Sequence, residues 1–154
     1  MSNDLHALEA WAGALLAKLQ PAQRRAINHK VAIDLRHSQA QRIKAQQGPD
    51  GTAYPARKRR KEFKGKNGRI KRQKAEMFAQ LKTFRFLKTK TTSTEISVGF
   101  YGRVARIARI HHEGGSEYIG RNHASYKYSS RPLLGLNSES RILIIRSLLN
   151  HIQT

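Results

Sequence analysis

The stretch from Arg57 to Lys74 holds eleven basic side chains against one acid, Glu62. The bases are Arg57, Lys58, Arg59, Arg60, Lys61, Lys64, Lys66, Arg69, Lys71, Arg72 and Lys74. No small core can absorb such a run, because an unpaired charge taken out of water is very costly. The stretch is therefore expected to be an exposed arm or loop, with the core assembled from what precedes and follows it. The rest of the chain does not offset the charge. Thirty Lys and Arg face ten Asp and Glu over 154 residues, a formal charge of +20. A surface of that sign repels itself and calls for an anionic partner: nucleic acid, an acidic protein surface or a membrane face. Phe63 and Tyr54 lie close enough in sequence to stack on bases. A solvated loop meeting an acidic protein accounts for the same residues.

The apolar spacing places helices before the arm and a mixed unit after it. Leu5, Leu8, Leu15 and Leu19, with Trp11 and Ala12, lie near helical spacing over about residues 4–19. Ser2 or Asn3 is a candidate cap. Pro21 suits the first position of a second helix, where its missing N–H costs nothing. That helix is expected over residues 22–46. Ile27, Val31 and Leu35 step by four along it, Ile43 continues the line, and Arg24, Arg25, Lys30, Arg36, Arg42 and Lys44 occupy the other faces. A stripe this thin reads as a surface helix or one that packs on a partner. Gly48-Pro49-Asp50-Gly51 is a turn, and Thr52–Asn67 an extended basic loop.

Beyond the loop, a short helix is expected over residues 70–83, with Met77, Phe78 and Leu81 inward. Residues 84–91 and 95–100 alternate in polarity, and Thr91-Thr92-Ser93-Thr94 joins them as a β-hairpin. A third helix starts at Gly102, with Val104, Ile107, Ala108 and His111 on one face, and ends at Gly114-Gly115. Residues 117–127 are ambiguous, a loop with one strand. After the break at Arg131-Pro132, Asn137 or Ser138 caps a last helix to about Ile152, with Ile142, Ile145, Leu148, Leu149 and Ile152 inward. Ile96, Val98, Phe100, Val104, Ile107, Leu134 and Leu148 are expected to share one core. The fold class is α+β: a small antiparallel sheet packed with amphipathic helices. It forms a single domain over 1–154, with a helical part (1–46), a basic loop or arm (47–69) and an α+β core (70–154).

Chemistry is poorly provisioned. No cysteine is present, so disulfides and thiolate metal sites are out. No apolar run approaches the roughly 18 residues of a membrane span. The N-terminal residues lack a basic flank followed by an apolar block, so no secretory signal is expected. His111-His112-Glu113 does not make a metal site, because adjacent helical residues point about 100° apart and a zinc helix wants histidines four apart. The aspartates are Asp4, Asp34 and Asp50, and the seven glutamates are scattered. Gly65-Lys66-Asn67-Gly68 lacks phosphate-loop spacing, and no G-x-S-x-G elbow occurs. An enzyme is not expected, nor is any cofactor.

Three strings carry a resemblance: Pro49-Asp50-Gly51-Thr52-Ala53-Tyr54 with Arg57, Lys58 and Arg59 behind it; Val98-Gly99-Phe100 leading into Gly102–Ala108 and His111–Gly115; and Arg131-Pro132-Leu133-Leu134-Gly135-Leu136 before the last helix. In this order the chain resembles the phage virion-morphogenesis family, the tail-completion proteins of contractile-tailed phages, over residues 5–152. Only residues 117–129 carry nothing over. The resemblance implies a structural α+β protein without cofactor or catalysis. It acts in tail completion or head–tail joining, at the head–tail junction of the virion, after assembly in the host cytoplasm. Its expected partners are tail and neck or connector proteins and further copies of itself in a homo-oligomeric ring, with non-specific DNA contact through the arm. A basic nucleic-acid-binding protein is the alternative, carried by charge alone.

Overall fold

The computed structural model describes residues 2–57, 76–119 and 124–152. Two helices open the chain, α1 (Ser2–Leu16) and α2 (Pro21–Lys44). A hairpin of β1 (Leu87–Thr91) and β2 (Ile96–Phe100) leads into α3 (Arg103–Glu113). A second hairpin, β3 (Ser116–Ile119) with β4 (Ala124–Lys127), precedes α4 (Ser138–Ile152). Both sheets are two-stranded and antiparallel. The fold is therefore α+β, as expected, with two small sheets where the alternation had pointed to one.

α2 is the spine. Pro21 takes its first turn, and Gln23 Oε1 accepts the Gln20 N–H at 3.0 Å, one of the donors that a helix start leaves free. Ile27, Val31, Leu35 and Ile43 are buried along one line. Each such burial is worth about 1.5–3 kcal/mol, enough to hold α4 against one flank of α2 and the first hairpin against another. In the hairpin, Leu87 pairs with Phe100 and Thr91 with Ile96. Leu87 is fully buried, whereas Phe84 is 75% exposed, so the inward face of β1 is the one bearing Leu87 and Thr89.

The apolar interior divides in two. Ile27, Val31 and Leu148 form one cluster, joined by Ile96, Ile144 and Ile152 and by Ala12, Leu16 and Leu19. Tyr54, Met77, Ala108 and Leu133 form the other, joined by Phe78, Leu81, Phe100 and Leu134. The single expected core is thus two, with Ile96 and Leu148 in one and Phe100 and Leu134 in the other. Ile107, expected inside, is 48% exposed. Ala108 and His111, expected on the same face, do turn inward, and Phe100 and Phe78 pack against the cluster that Ala108 joins. On α4, Ile142 and Leu149 are exposed, and the buried side is Ser140, Ser147 and Leu148. Ser147 Oγ donates to Asp34 on α2 at 2.5 Å, a polar tie on a face that the apolar count assigned differently.

The helix expected over residues 70–83 is not helical in its described part. Residues 76–86 are turns. Phe78 sits at φ 62°, a left-handed value that interrupts a right-handed helix. Asn137 caps α4: its Oδ1 accepts the Ser140 N–H at 2.8 Å. Gly114 ends α3 at φ 76° with its N–H on the Ile110 carbonyl. Among the described residues, no helix is long and apolar enough to cross a membrane.

Candidate partner interface at the base of the basic arm

Of the ten arm residues singled out for partner contact, Arg57 is described and exposed. Lys58, Arg59, Arg60, Lys61, Lys64, Lys66, Arg69, Lys71 and Arg72 lie outside the described residues. What the structure shows is how the chain is held on either side of residues 58–75.

The departing end is held by Arg131, which is only 6% exposed. Its Nε donates to the Pro55 carbonyl at 2.9 Å, Nη2 to Ala56 at 3.1 Å and Nη1 to Ser129 at 3.3 Å. A planar guanidinium addresses the three carbonyls from three separate nitrogens held in one plane, whereas a lysine offers its donors from a single nitrogen. Burial lowers the Arg131 pKa, and Tyr126 opposes the shift. The Arg131 N–H itself donates to the His111 carbonyl at 2.7 Å. His112 Nδ1 accepts the Leu133 N–H at 3.1 Å, and Ser130 Oγ donates to the His112 carbonyl at 2.9 Å. The adjacent histidines are therefore seams between the end of α3 and the segment 130–133. Among the described residues, no group of three His, Cys, Asp or Glu is placed to hold a metal ion.

The returning end is held by Gln46. Its Nε2 donates to the Met77 carbonyl and to the Ile43 carbonyl, while its Oε1 accepts the Met77 N–H. Gln46 stands at φ 59°. Among the described residues, Gln46 and Phe78 are the two non-glycines with positive φ, and they flank this clamp. Strain of that kind persists only where the surroundings over-determine it. Here the surroundings are rings. Phe78 meets Tyr54 edge-on at 5.8 Å and His111 at 5.1 Å, and His111 meets Tyr128 at 4.6 Å. Burial lowers the His111 pKa, Arg131 and Arg57 lower it further, and Glu117 opposes them. Burial also pushes the Tyr54 hydroxyl up to about 12.

Behind the rings, the two turn strings lock onto α2. Gly135 O accepts from Gln39 Nε2 at 3.1 Å and from Arg42 Nη2 at 2.7 Å. Asn137 Nδ2 donates to the Pro49 carbonyl at 3.0 Å. Asp50 takes both the N–H and the hydroxyl of Thr52, which lowers its pKa, and Gly51 supplies φ 79°. Gln39, Arg42 and Gln46 were not singled out as contacts by sequence, and Arg131 entered only as the first residue of the third string. One signal was legible: Ile27, Val31, Leu35, Gln39 and Ile43 step by four, and a glutamine on that line must be buried and bonded.

The described parts of the three strings that carried the resemblance therefore converge on one platform, which holds the chain at residues 55–56 and at Met77, on either side of residues 58–75. The phage virion morphogenesis family matches residues 3–153. The chain is also 36% identical over 152 residues to "Tail completion protein S" of Escherichia phage P2, covering 98% of this chain and 99% of the relative. This chain belongs to the phage virion morphogenesis family. No solved structure matches it. In this member of the virion morphogenesis family, the platform is polar where it grips backbone and aromatic where it fills space.

Proposed function

We propose that this protein is a structural component of phage tail completion. It works as an oligomeric ring at the head–tail junction and performs no chemical turnover. The observation that carries this reading is the near-full-length likeness to a tail completion protein. That likeness combines with the convergence of the string-bearing residues on the arm base. Two further features support it. Leu5, Trp11, Leu136, Ile142 and Leu149 are each at least 40% exposed on or beside α1 and α4, a supply of apolar contacts for neighbouring subunits or tail proteins. Arg103, Arg106 and Arg109 recur every third residue on the exposed side of α3, a second cationic surface in which Arg106 pairs with Glu117 at 3.4 Å.

In this account the arm residues Arg57, Lys58, Arg59, Arg60, Lys61, Lys64, Lys66, Arg69, Lys71 and Arg72 contact an anionic surface. That surface is an acidic patch on a neck or tail protein, or DNA in the junction. Replacing residues 58–74 with a short Gly-Ser linker tests it. The expected result is a variant that melts like the parent but fails to join tails to heads. Normal yield of infectious particles from that variant would remove the arm from assembly. Pull-down with and without nuclease distinguishes the two anionic partners.

A further inference from the structure

The first hairpin is a two-stranded sheet, and among the described residues no strand lies beyond either edge. Its bonding phase follows from the turn. Thr92 N–H donates to the Glu95 carbonyl, so the paired residues alternate from there. Lys90 with Ser97 and Lys88 with Gly99 exchange hydrogen bonds inside the hairpin. The N–H and C=O groups of Thr89 and Thr91 point out along one edge, and those of Ile96, Val98 and Phe100 along the other. Leu87 is excepted, since its N–H goes to Thr83.

Proteins usually blunt such edges with lysine, proline or a bulge. β2 does none of this. Its sequence is Ile-Ser-Val-Gly-Phe, it carries no charge, and all five residues are half-buried. β1 is Leu-Lys-Thr-Lys-Thr, with both lysines exposed on the face away from α2. Lys90 lies over the Tyr101 ring at 4.1 Å, and an added Cβ at Gly99 would meet nothing within 4 Å. The two edges are equal in length, five residues each, and differ in charge.

We propose that the β2 edge of one copy pairs antiparallel with the β1 edge of the next, so that successive hairpins close into a circular sheet. The charge pattern selects this partner. Pairing β1 with β1 would set lysines against lysines, which is destabilising. Pairing β2 with β2 would satisfy one edge and stop at a dimer. Pairing β2 with β1 places Lys88 and Lys90 beside Ser97 and Gly99, as they already lie within the hairpin, and leaves no edge open. A head-to-tail interface of this kind gives a ring where the rotation between neighbours closes and an open filament where it does not; the ring is the form that the proposed function requires. This inference rests on the ring reading and names its interface.

The test uses proline on each edge. Proline is tolerated where the lost N–H faces away from the existing ladder, so Val98→Pro and Thr89→Pro each remove one outward donor. Mass measurement at high salt should show the wild type as a closed oligomer and each variant as a monomer. A mixture of the two variants should stop at a dimer, since one intact interface remains between them. Because the chain lacks cysteine, single substitutions give a second measurement that leaves the backbone untouched. Ser97→Cys chains mixed with Lys88→Cys or Lys90→Cys chains should yield the mixed disulfide-linked dimer. Dimers of Ser97→Cys alone would overturn the head-to-tail pairing in favour of β2 with β2. An oligomer that forms unchanged in both proline variants, without mixed crosslinks, would overturn the edge interface and leave the ring standing. A wild type that is monomeric under every condition would overturn both.

Discussion

Gly135 lies so close to Pro49 that a Cβ on it would stand 2.5 Å from the proline Cγ. Real contacts of that kind do not occur, and a proline ring has little room to yield. The two turn strings are therefore fitted to each other at a point where only glycine serves. Gly135→Ala should destabilise the protein by about 1–3 kcal/mol through overpacking, read as a lower urea midpoint. Gly13→Ala is the contrast, since nothing lies within 4 Å of a Cβ there. In the middle of α1 it should stabilise by about 0.5–1 kcal/mol. A Gly135→Ala variant as stable as the parent would show that the turns are not in contact.

The clamp at the arm's return makes a second expectation. Gln46→Ala leaves the Met77 N–H and carbonyl without their partner at a buried residue. Stranding such groups costs about 1–3 kcal/mol. The loss should appear as a lower melting temperature and as faster proteolysis within the arm. Arg131→Lys should act similarly at the departing end, since a single ammonium nitrogen does not span the positions of Nε, Nη1 and Nη2. Unchanged cleavage in both variants would separate the platform from the arm.

Acid sensitivity should be traceable to His111. Its pKa is held below the ordinary histidine range by burial first and by Arg131 next. The folded state then binds fewer protons than the unfolded state. Its contribution to stability is therefore lost as pH falls below about 6.5, the unfolded histidine value. His111→Phe keeps a ring between Phe78 and Tyr128 and removes the titration. The variant should lose less melting temperature than the parent between pH 7 and about pH 5. Equal losses in the two proteins would clear His111 of the effect.

Much of the fold was legible where one period ruled. The four-step line on α2, the turn between β1 and β2 and the left-handed glycine after α3 all rest on local chemistry. Legibility failed where tertiary contacts chose between faces. Ile107 and Ala108 are neighbours on α3 and both read as inward, yet only the alanine is buried. Ile142 and Leu149 read as core by composition, yet a serine–aspartate bond fixed the rotation of α4. Phe78 read as helical, and its ring contacts hold it at a backbone angle that no helix allows. The charge of residues 57–74 was plain from the sequence, while Arg42 on α2 and Gln46 just beyond it gave no pattern that marked them as contacts, and Arg131 stood out only as part of a string.

These corrections set a mutational contrast. Leu87→Ala, at a fully buried position, should cost about 2–5 kcal/mol. Ile107→Ala, half exposed, should stay within roughly 0.5 kcal/mol. Reversal of that order in chemical denaturation would contradict the placement of α3.

The central claim is a structural role in completing phage tails, and complementation tests it most directly. Particles would be assembled in a lysate of the phage encoding this chain with its gene deleted, then mixed with purified protein and counted as infectious units and by electron microscopy. The account predicts heads and unjoined tails without the protein, and infectious particles restored by adding the wild type but not the variant lacking residues 58–74. Normal numbers of joined, infectious particles in the deletion lysate itself would contradict it.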